Sequence, residues 1–293
     1  MLNRYLVVMV GLLGTALILP VGALAQDSAP LTWPDPVPNR QPVAEADKKP
    51  APQRSLVGMW GSRLGNQAKG VQLRPNDGTP GDPLPFTPYG LELYESYRPA
   101  EGVPPRAVPP AETNDPRTLC EPLGFPRINH YDLGVQIFQD EHKVAILYNY
   151  DNPWRIIWTD GRSLPTLVEG GVEMDGQYRA PRWTGYSVGR WLDDYTLEVQ
   201  TVGTMPEDRV WLDNTGRPIS DQVRVTETFR RLDYDTLEWS ETIDDPKMYT
   251  RPWQTMQIPM TLQDGRTDAI TRYCSPTEIE EYNRIYGDAA SAR

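Results

Sequence analysis

The sequence predicts an all-β fold, an antiparallel sandwich or barrel, on three observations. From residue 134 the apolar residues alternate with period two; the alternating runs are short and bounded by turn residues; and no helical periodicity falls between them. Before that region lies a different kind of chain. Arg4 is the only charged side chain among the first 25 residues, an apolar run from Tyr5 to Leu19 follows, and Ala23-Leu24-Ala25 precedes Gln26. A basic start, an apolar centre and small residues at a cleavage site describe a signal peptide over 1–25. Residues 26–54 are proline-rich with few large apolar side chains, and are read as an extended linker. A single domain is expected over 55–290.

Ordered structure is expected to begin at Ser55-Leu56-Val57-Gly58-Met59-Trp60. A short helix follows Thr87-Pro88, with Thr as cap, Pro in the first helical position, and Leu91 and Tyr94 at helical spacing. A proline-rich loop over about 99–126 carries Cys120. The expected strands are Gly134–Gln139, Lys143–Tyr150, Trp154–Thr159, Arg182–Trp191, Thr196–Thr204, Val223–Leu232, Thr236–Asp244, Gln254–Leu262 and Ala269–Tyr273. The end of the chain changes character: Ser275-Pro276-Thr277-Glu278 is a capping box, which predicts a helix to about Tyr286, stopped by Gly287.

Two octets resemble each other, Leu192-Asp193-Asp194-Tyr195-Thr196-Leu197-Glu198-Val199 and Leu232-Asp233-Tyr234-Asp235-Thr236-Leu237-Glu238-Trp239. Each joins two strand patterns, so they read as two hairpin turns of one kind rather than a repeat array. The second turn implies a register. Val223, Val225, Glu227 and Phe229 share one face of the strand before it; Leu237, Trp239, Glu241 and Ile243 share one face of the strand after it. Putting both apolar faces on the same side and centring the turn on Tyr234 sets Phe229 opposite Trp239 and Glu227 opposite Glu241. Two carboxylates would then face each other on an apolar surface, and their titrations would be coupled.

The chain is acidic, with a formal net charge of -11, which makes nucleic acid and an anionic membrane surface poor partners. Beyond the leader nothing is apolar enough to cross a bilayer, so no stable membrane insertion is expected after cleavage. Tyr (15) and Trp (9) outnumber Phe (4), a usage that suits both ligand cavities and β-rich folds. Cys120 and Cys274 form an even pair in an exported chain and are expected to be joined. Two histidines without i,i+4 spacing give no transition-metal signature, so no metal or other cofactor is expected.

Taken in order, Gly58-Met59-Trp60, Thr87-Pro88-Tyr89-Gly90, Cys120-Glu121-Pro122-Leu123-Gly124-Phe125-Pro126-Arg127, Asp160-Gly161-Arg162, Gly185-Tyr186-Ser187-Val188-Gly189-Arg190-Trp191, Trp211-Leu212-Asp213 and Thr242-Ile243-Asp244-Asp245-Pro246 with Tyr249-Thr250-Arg251-Pro252-Trp253 resemble a large family of exported bacterial proteins, mostly of unassigned function. The resemblance covers nearly all of the chain from about residue 56. It implies an antiparallel meander closing into a lipocalin-like barrel, and no named reaction. Relatives often carry histidines where this chain has Leu164, Arg190 and Ile219, so a histidine-based chemistry is not implied here. Glu227 matches the family's usual residue, whereas Glu241 stands where an apolar residue is more usual. Gly58-Met59-Trp60 also resembles the Gly-x-Trp at the first lipocalin strand, where the Trp plugs the barrel floor.

Gly185-x-Ser187-x-Gly189 fits the serine-hydrolase elbow, but that mechanism needs a helix behind the Ser and the sequence supplies another strand. The glycines are better explained by a bend in a curved strand. These readings define the candidate sites: Glu227 and Glu241 as acid–base carboxylates, and Trp60, Arg162, Ser187, Phe229 and Trp239 as lumen residues contacting a ligand. The expected protein is a periplasmic or secreted monomer binding a small apolar or aromatic molecule. The alternative is an isomerase, lyase or hydrolase on the same barrel, using an inward carboxylate.

Overall fold

This computed structural model describes residues 44–62, 84–100, 106–109, 112–130, 134–255, 257–263, 274, 275, 281 and 284. The strands are β1 (Gly58–Ser62), β2 (Val135–Gln139), β3 (Lys143–Tyr148), β4 (Trp154–Trp158), β5 (Thr166–Val168), β6 (Gly171–Met174), β7 (Gln177–Arg179), β8 (Tyr186–Trp191), β9 (Thr196–Val202), β10 (Arg224–Arg231), β11 (Thr236–Asp244), β12 (Trp253–Gln254) and β13 (Ile258–Leu262). An α-helix, α1 (Pro88–Ser96), follows β1.

Nine strands close a barrel in the cyclic order β1-β2-β3-β4-β8-β9-β10-β11-β13, with β13 pairing back to β1 and β10 pairing β11 across the closure. Each barrel strand therefore neighbours the next in sequence, as a meander requires. One junction departs from the antiparallel rule: β4 and β8 run parallel, pairing Ile157 with Ser187 and Trp158 with Val188. Parity demands such a junction. An odd number of strands cannot alternate direction all the way round a closed ring. A parallel pair in turn needs a long crossover, and here the crossover holds a small antiparallel sheet, β5-β6-β7, over its own cluster of Val172, Tyr186 and Val202. The sequence reading had no strands there, because three- and four-residue runs broken by Gly170-Gly171 and Gly176 are too short to show a period.

The expected elements otherwise fall where the pattern put them, with local adjustments. Thr87 caps α1 by accepting from Gly90 N, and Pro88 takes the first helical position. Gly90 is required there: a Cβ would lie 2.2 Å from the carbonyl oxygen of Met248, so the helix rests directly on backbone. β8 starts at Tyr186 because Gly185 has φ +65, and the expected strand Gln254–Leu262 divides into β12 and β13. The signal peptide, the strand at Ala269–Tyr273 and the C-terminal helix lie outside the described residues. Of the expected linker, the described end is tied to the barrel: Lys48 Nζ lies 3.3 Å from the Asp233 carboxylate, Tyr234 N donates to Lys49 O, and Arg54 N donates to Asp194 O.

Those partners belong to the two octets, which are indeed matching turns. In each, the Leu N–H donates to the Thr carbonyl (Leu192 to Thr196, Leu232 to Thr236). In each, the first Asp accepts from the N–H two residues on (Asp193 from Tyr195, Asp233 from Asp235). The side-chain acceptor stabilises the turn, and the alternation restarts at Thr.

Two apolar clusters fill the interior. One occupies the barrel proper, with Trp60, Ile137, Ile146, Ile157, Val199, Phe229, Leu237 and Trp239 among its members. The other lies at one end, where Phe125, Val210, Leu212, Ile219, Met248, Tyr249 and Trp253 pack on Val225 and Ile243. Along β10 and β11 the inward residues run Phe229–Glu227–Val225 and Trp239–Glu241–Ile243. A polar layer therefore separates the two clusters. At the far end of the barrel, Trp60 Nε1 donates to Leu56 O at 2.8 Å, and the Arg231 guanidinium stacks 4.8 Å from its ring. Cys120 and Cys274 are joined, with Cα atoms 5.4 Å apart.

Candidate functional site

The polar layer is built by the barrel register. Glu227 and Glu241 are direct cross-strand partners, as are Phe229 and Trp239, whose rings stack at 5.0 Å. Both carboxylates are shut off from solvent, Glu227 at 0% and Glu241 at 1% exposure. Arg155, 1% exposed, reaches Glu227 from β4 across the lumen. Its Nη1 donates to Glu227 Oε1 at 2.8 Å, Nη2 donates to Glu227 Oε2 and to Thr201 Oγ1, and Nε donates to Ser187 Oγ at 3.1 Å. A bidentate guanidinium–carboxylate pair is the geometry that best offsets the desolvation of both ions. Ser187 and Thr201 share a further hydrogen bond at 2.9 Å.

Two further polar groups, Asn129 and His130, come from outside the barrel wall. Residues 123–130 cross the barrel end, buried throughout, and finish in a 3-10 turn, Arg127–His130. This plug is pinned by Arg127, which pairs with Asp115 and donates to Asn214 Oδ1. Leu123 and Ile128 join the barrel cluster, while Phe125 lies 4.1 Å below the Arg155 guanidinium. Asn129 enters the polar layer: Nδ2 donates to Glu227 Oε1 at 3.1 Å and to Glu241 Oε1, and Oδ1 accepts from Tyr148 OH at 2.7 Å. The amide nitrogen carries two N–H donors, one for each carboxylate, and brings no charge. His130 Nε2 comes within 2.8 Å of Glu241 Oε2. That approach is short enough for an ion pair, yet it is poorly directed, and neither atom completes a hydrogen bond there. Both atoms are buried, so each has the other to hand in place of water.

Burial pushes the Glu227 carboxyl above its ordinary pKa; Arg155 opposes this and Glu241 adds to it. Burial likewise pushes the Tyr148 hydroxyl up, so it stays a proton donor. In charge terms, Arg155 balances the Glu227 carboxylate, and the His130 imidazole stands beside that of Glu241. The layer thus places the raised Glu227 carboxyl within a short chain of oxygen and nitrogen atoms, an arrangement suited to acid–base chemistry.

The sequence-derived candidates divide on this frame. Glu227, Glu241, Ser187, Phe229 and Trp239 are brought together inside the barrel; Trp60 lines the same interior towards the opposite end. Arg162 is a correction. It follows β4 in the exposed Asp160-Gly161-Arg162 turn, bonded to Asp160 at 2.7 Å and stacked 3.6 Å from the outer face of Trp158, away from the lumen. That ion pair draws the Asp160 carboxyl down to about 2. Arg155, Asn129, His130, Tyr148 and Thr201 were missed. Arg155 lies in Trp-Arg-Ile-Ile-Trp, apolar on both parities, so alternation cannot choose the inward face. A charged residue in phase with Ile157 was the available signal. Asn129 and His130 come from a turn in a proline-rich loop, where no period operates.

Among the described residues, no group of three or more His, Cys, Asp or Glu side chains is placed to hold a metal ion, and no helix is long and apolar enough to cross a membrane. The fold and this centre define a closed β-barrel with a buried polar layer. Comparison with protein-family models, curated proteins and solved structures found no match to the chain.

Proposed function

We propose that this chain is an exported, lipocalin-like barrel that binds a small apolar or aromatic molecule in its lumen, beside the polar layer. The observation that carries the reading is a set of buried polar atoms with incomplete hydrogen bonding on one wall. Among the described residues Trp239 Nε1 has no hydrogen-bond partner, and two residues along the same strand Glu241 Oε2 meets His130 Nε2 out of line. Buried polar atoms are nearly always satisfied, so such a set is best explained by a group that completes it. The stacked Phe229 and Trp239 rings supply an apolar surface next to these atoms. Entry requires the Arg127–His130 turn to back out of the barrel end. The formed disulfide supports an oxidising location, periplasmic or secreted. Native mass spectrometry of protein purified from its own host tests the reading: a stoichiometric small-molecule adduct is expected. An adduct-free spectrum, together with unchanged tryptophan fluorescence on exposure to host extract, would overturn it.

A second reading has its own observation. The raised carboxyl of Glu227, in contact through Asn129 with Glu241, suits an isomerase, lyase or hydrolase. Under it, Glu227→Gln abolishes turnover. Under the binding reading the same change alters ligand choice and leaves no activity to lose.

A further inference from the structure

Resting on the lumen reading above, the wall of the polar layer also specifies the chemistry of what it receives. We propose that Glu227, Glu241 and Tyr148 form a receptor for a primary carboxamide, filled in this state by the chain's own Asn129, and that the molecule taken into the lumen carries such a group. The wall presents two acceptors and one donor. Asn129 meets all three, its Nδ2 donating to both carboxylates and its Oδ1 accepting from Tyr148 OH at 2.7 Å.

Other head groups match the wall less well. A carboxylate would face two carboxylates and be repelled. An ammonium or amidinium satisfies the acceptors but gives the Tyr148 hydroxyl nothing to donate to. An alcohol has a single O–H for two carboxylates. A ketone has no donor at all. Each mismatch leaves a buried group unpaired, and that penalty is what makes hydrogen-bonding sites selective.

The wall cannot readily rearrange to suit a different head. Arg155 holds both oxygens of Glu227, and the β10–β11 register sets Glu227 against Glu241. All three wall side chains are buried. The occupying amide sits on a plug anchored by the Arg127–Asp115 pair. The plug therefore competes with any external amide and lowers its apparent affinity by the fraction of time the wall is free. The apolar part of the ligand would lie where Leu123 and Ile128 now pack on the barrel cluster.

Asn129→Gly removes a side chain equivalent to acetamide and leaves a space of that shape. Thermal unfolding of this variant is compared in acetamide, acetone and acetate, which are close to isosteric. Acetamide at roughly one hundred times its dissociation constant should raise Tm by about 5–10 °C. Acetone and acetate should leave it unchanged, as should acetamide with the wild type. Equal effects of the three solutes, or none from acetamide, would overturn the proposal. Should Asn129→Gly fail to fold, benzamide is titrated into wild-type protein while the Asn129 side-chain N–H resonances are followed. Movement to free-amide positions supports the proposal, and fixed resonances up to the solubility limit refute it. A co-purified ligand without an amide also refutes it while sparing the lumen reading; rescue by acetamide with no co-purified ligand does the reverse.

Discussion

Arg155→Met removes the one guanidinium that serves Glu227 while keeping a side chain of comparable length against Phe125. Glu227 would lose both of its ion-pair hydrogen bonds and retain only Asn129 Nδ2. Ser187 and Thr201 would still satisfy each other. The expected loss is therefore that of a broken buried ion pair, about 3–5 kcal/mol. In urea this lowers the unfolding midpoint by about 1–2 M for a slope near 3 kcal/mol/M. Removing both partners is different. Arg155→Met with Glu227→Leu leaves Glu241 bonded to Asn129 and beside His130, and should return to within about 2 kcal/mol of wild type. The pH dependence has a definite sign. Without Arg155 the already raised Glu227 carboxyl rises further, so the folded variant favours the protonated acid. That contribution is fully present below the unfolded value of about 4.3 and is lost as pH rises through the folded one. The variant's deficit against wild type should therefore be small near pH 4 and grow towards neutrality. Additive losses in the double variant, or a deficit independent of pH, would show that the pair does not carry the energetics assigned to it.

Three further outcomes follow from other parts of the molecule. Reduction of Cys120–Cys274, which closes a separation of 154 residues, should destabilise by at most about 5 kcal/mol, read as a lowered urea midpoint in dithiothreitol. Ser187 should not react with a fluorophosphonate probe, since its hydroxyl is held by Arg155 and Thr201. Ser187→Ala should instead cost about 1–2 kcal/mol by leaving Arg155 Nε without an acceptor, and probe labelling lost in that variant would contradict this. Gly90→Ala, ordinarily a gain of about 1 kcal/mol in a helix, should destabilise by about 1–3 kcal/mol because its Cβ meets the Met248 carbonyl; an unchanged or higher Tm would show that α1 can lift away.

The register around Tyr234 was legible because β10 and β11 each bury one full face, and a slip of one residue would turn Glu227 or Glu241 outward. The twin turns were legible for a local reason: Asp two residues before an N–H it can bond is a property of the chain itself. What escaped was whatever tertiary closure decides. Alternation within residues 154–158 does not say which face looks inward until the ring closes and carries Arg155 across to Glu227. The parallel β4–β8 junction follows from counting strands around a ring, and β13 could not be separated from β12 by pattern alone. Asn129 is an ordinary loop residue until the plug lays it between two carboxylates. Arg162 was misplaced because a turn arginine and a lumen arginine have the same local sequence signature.

The β4–β8 junction has one more implication. It is held by two residue pairs, where β10–β11 has eight, so it is the shortest seam in the ring. Brief opening of a sheet begins where fewest ladder bonds must break together. Backbone amides of Trp158 and Val188 should therefore exchange with deuterated solvent well before those of Phe229 and Trp239. The seam lies beside Arg155 and Ser187, so each such opening would wet the polar layer through the barrel's flank. Protons could then equilibrate with the buried carboxylates on the timescale of strand breathing, while the plug stays seated and the larger traffic of the lumen waits on its release.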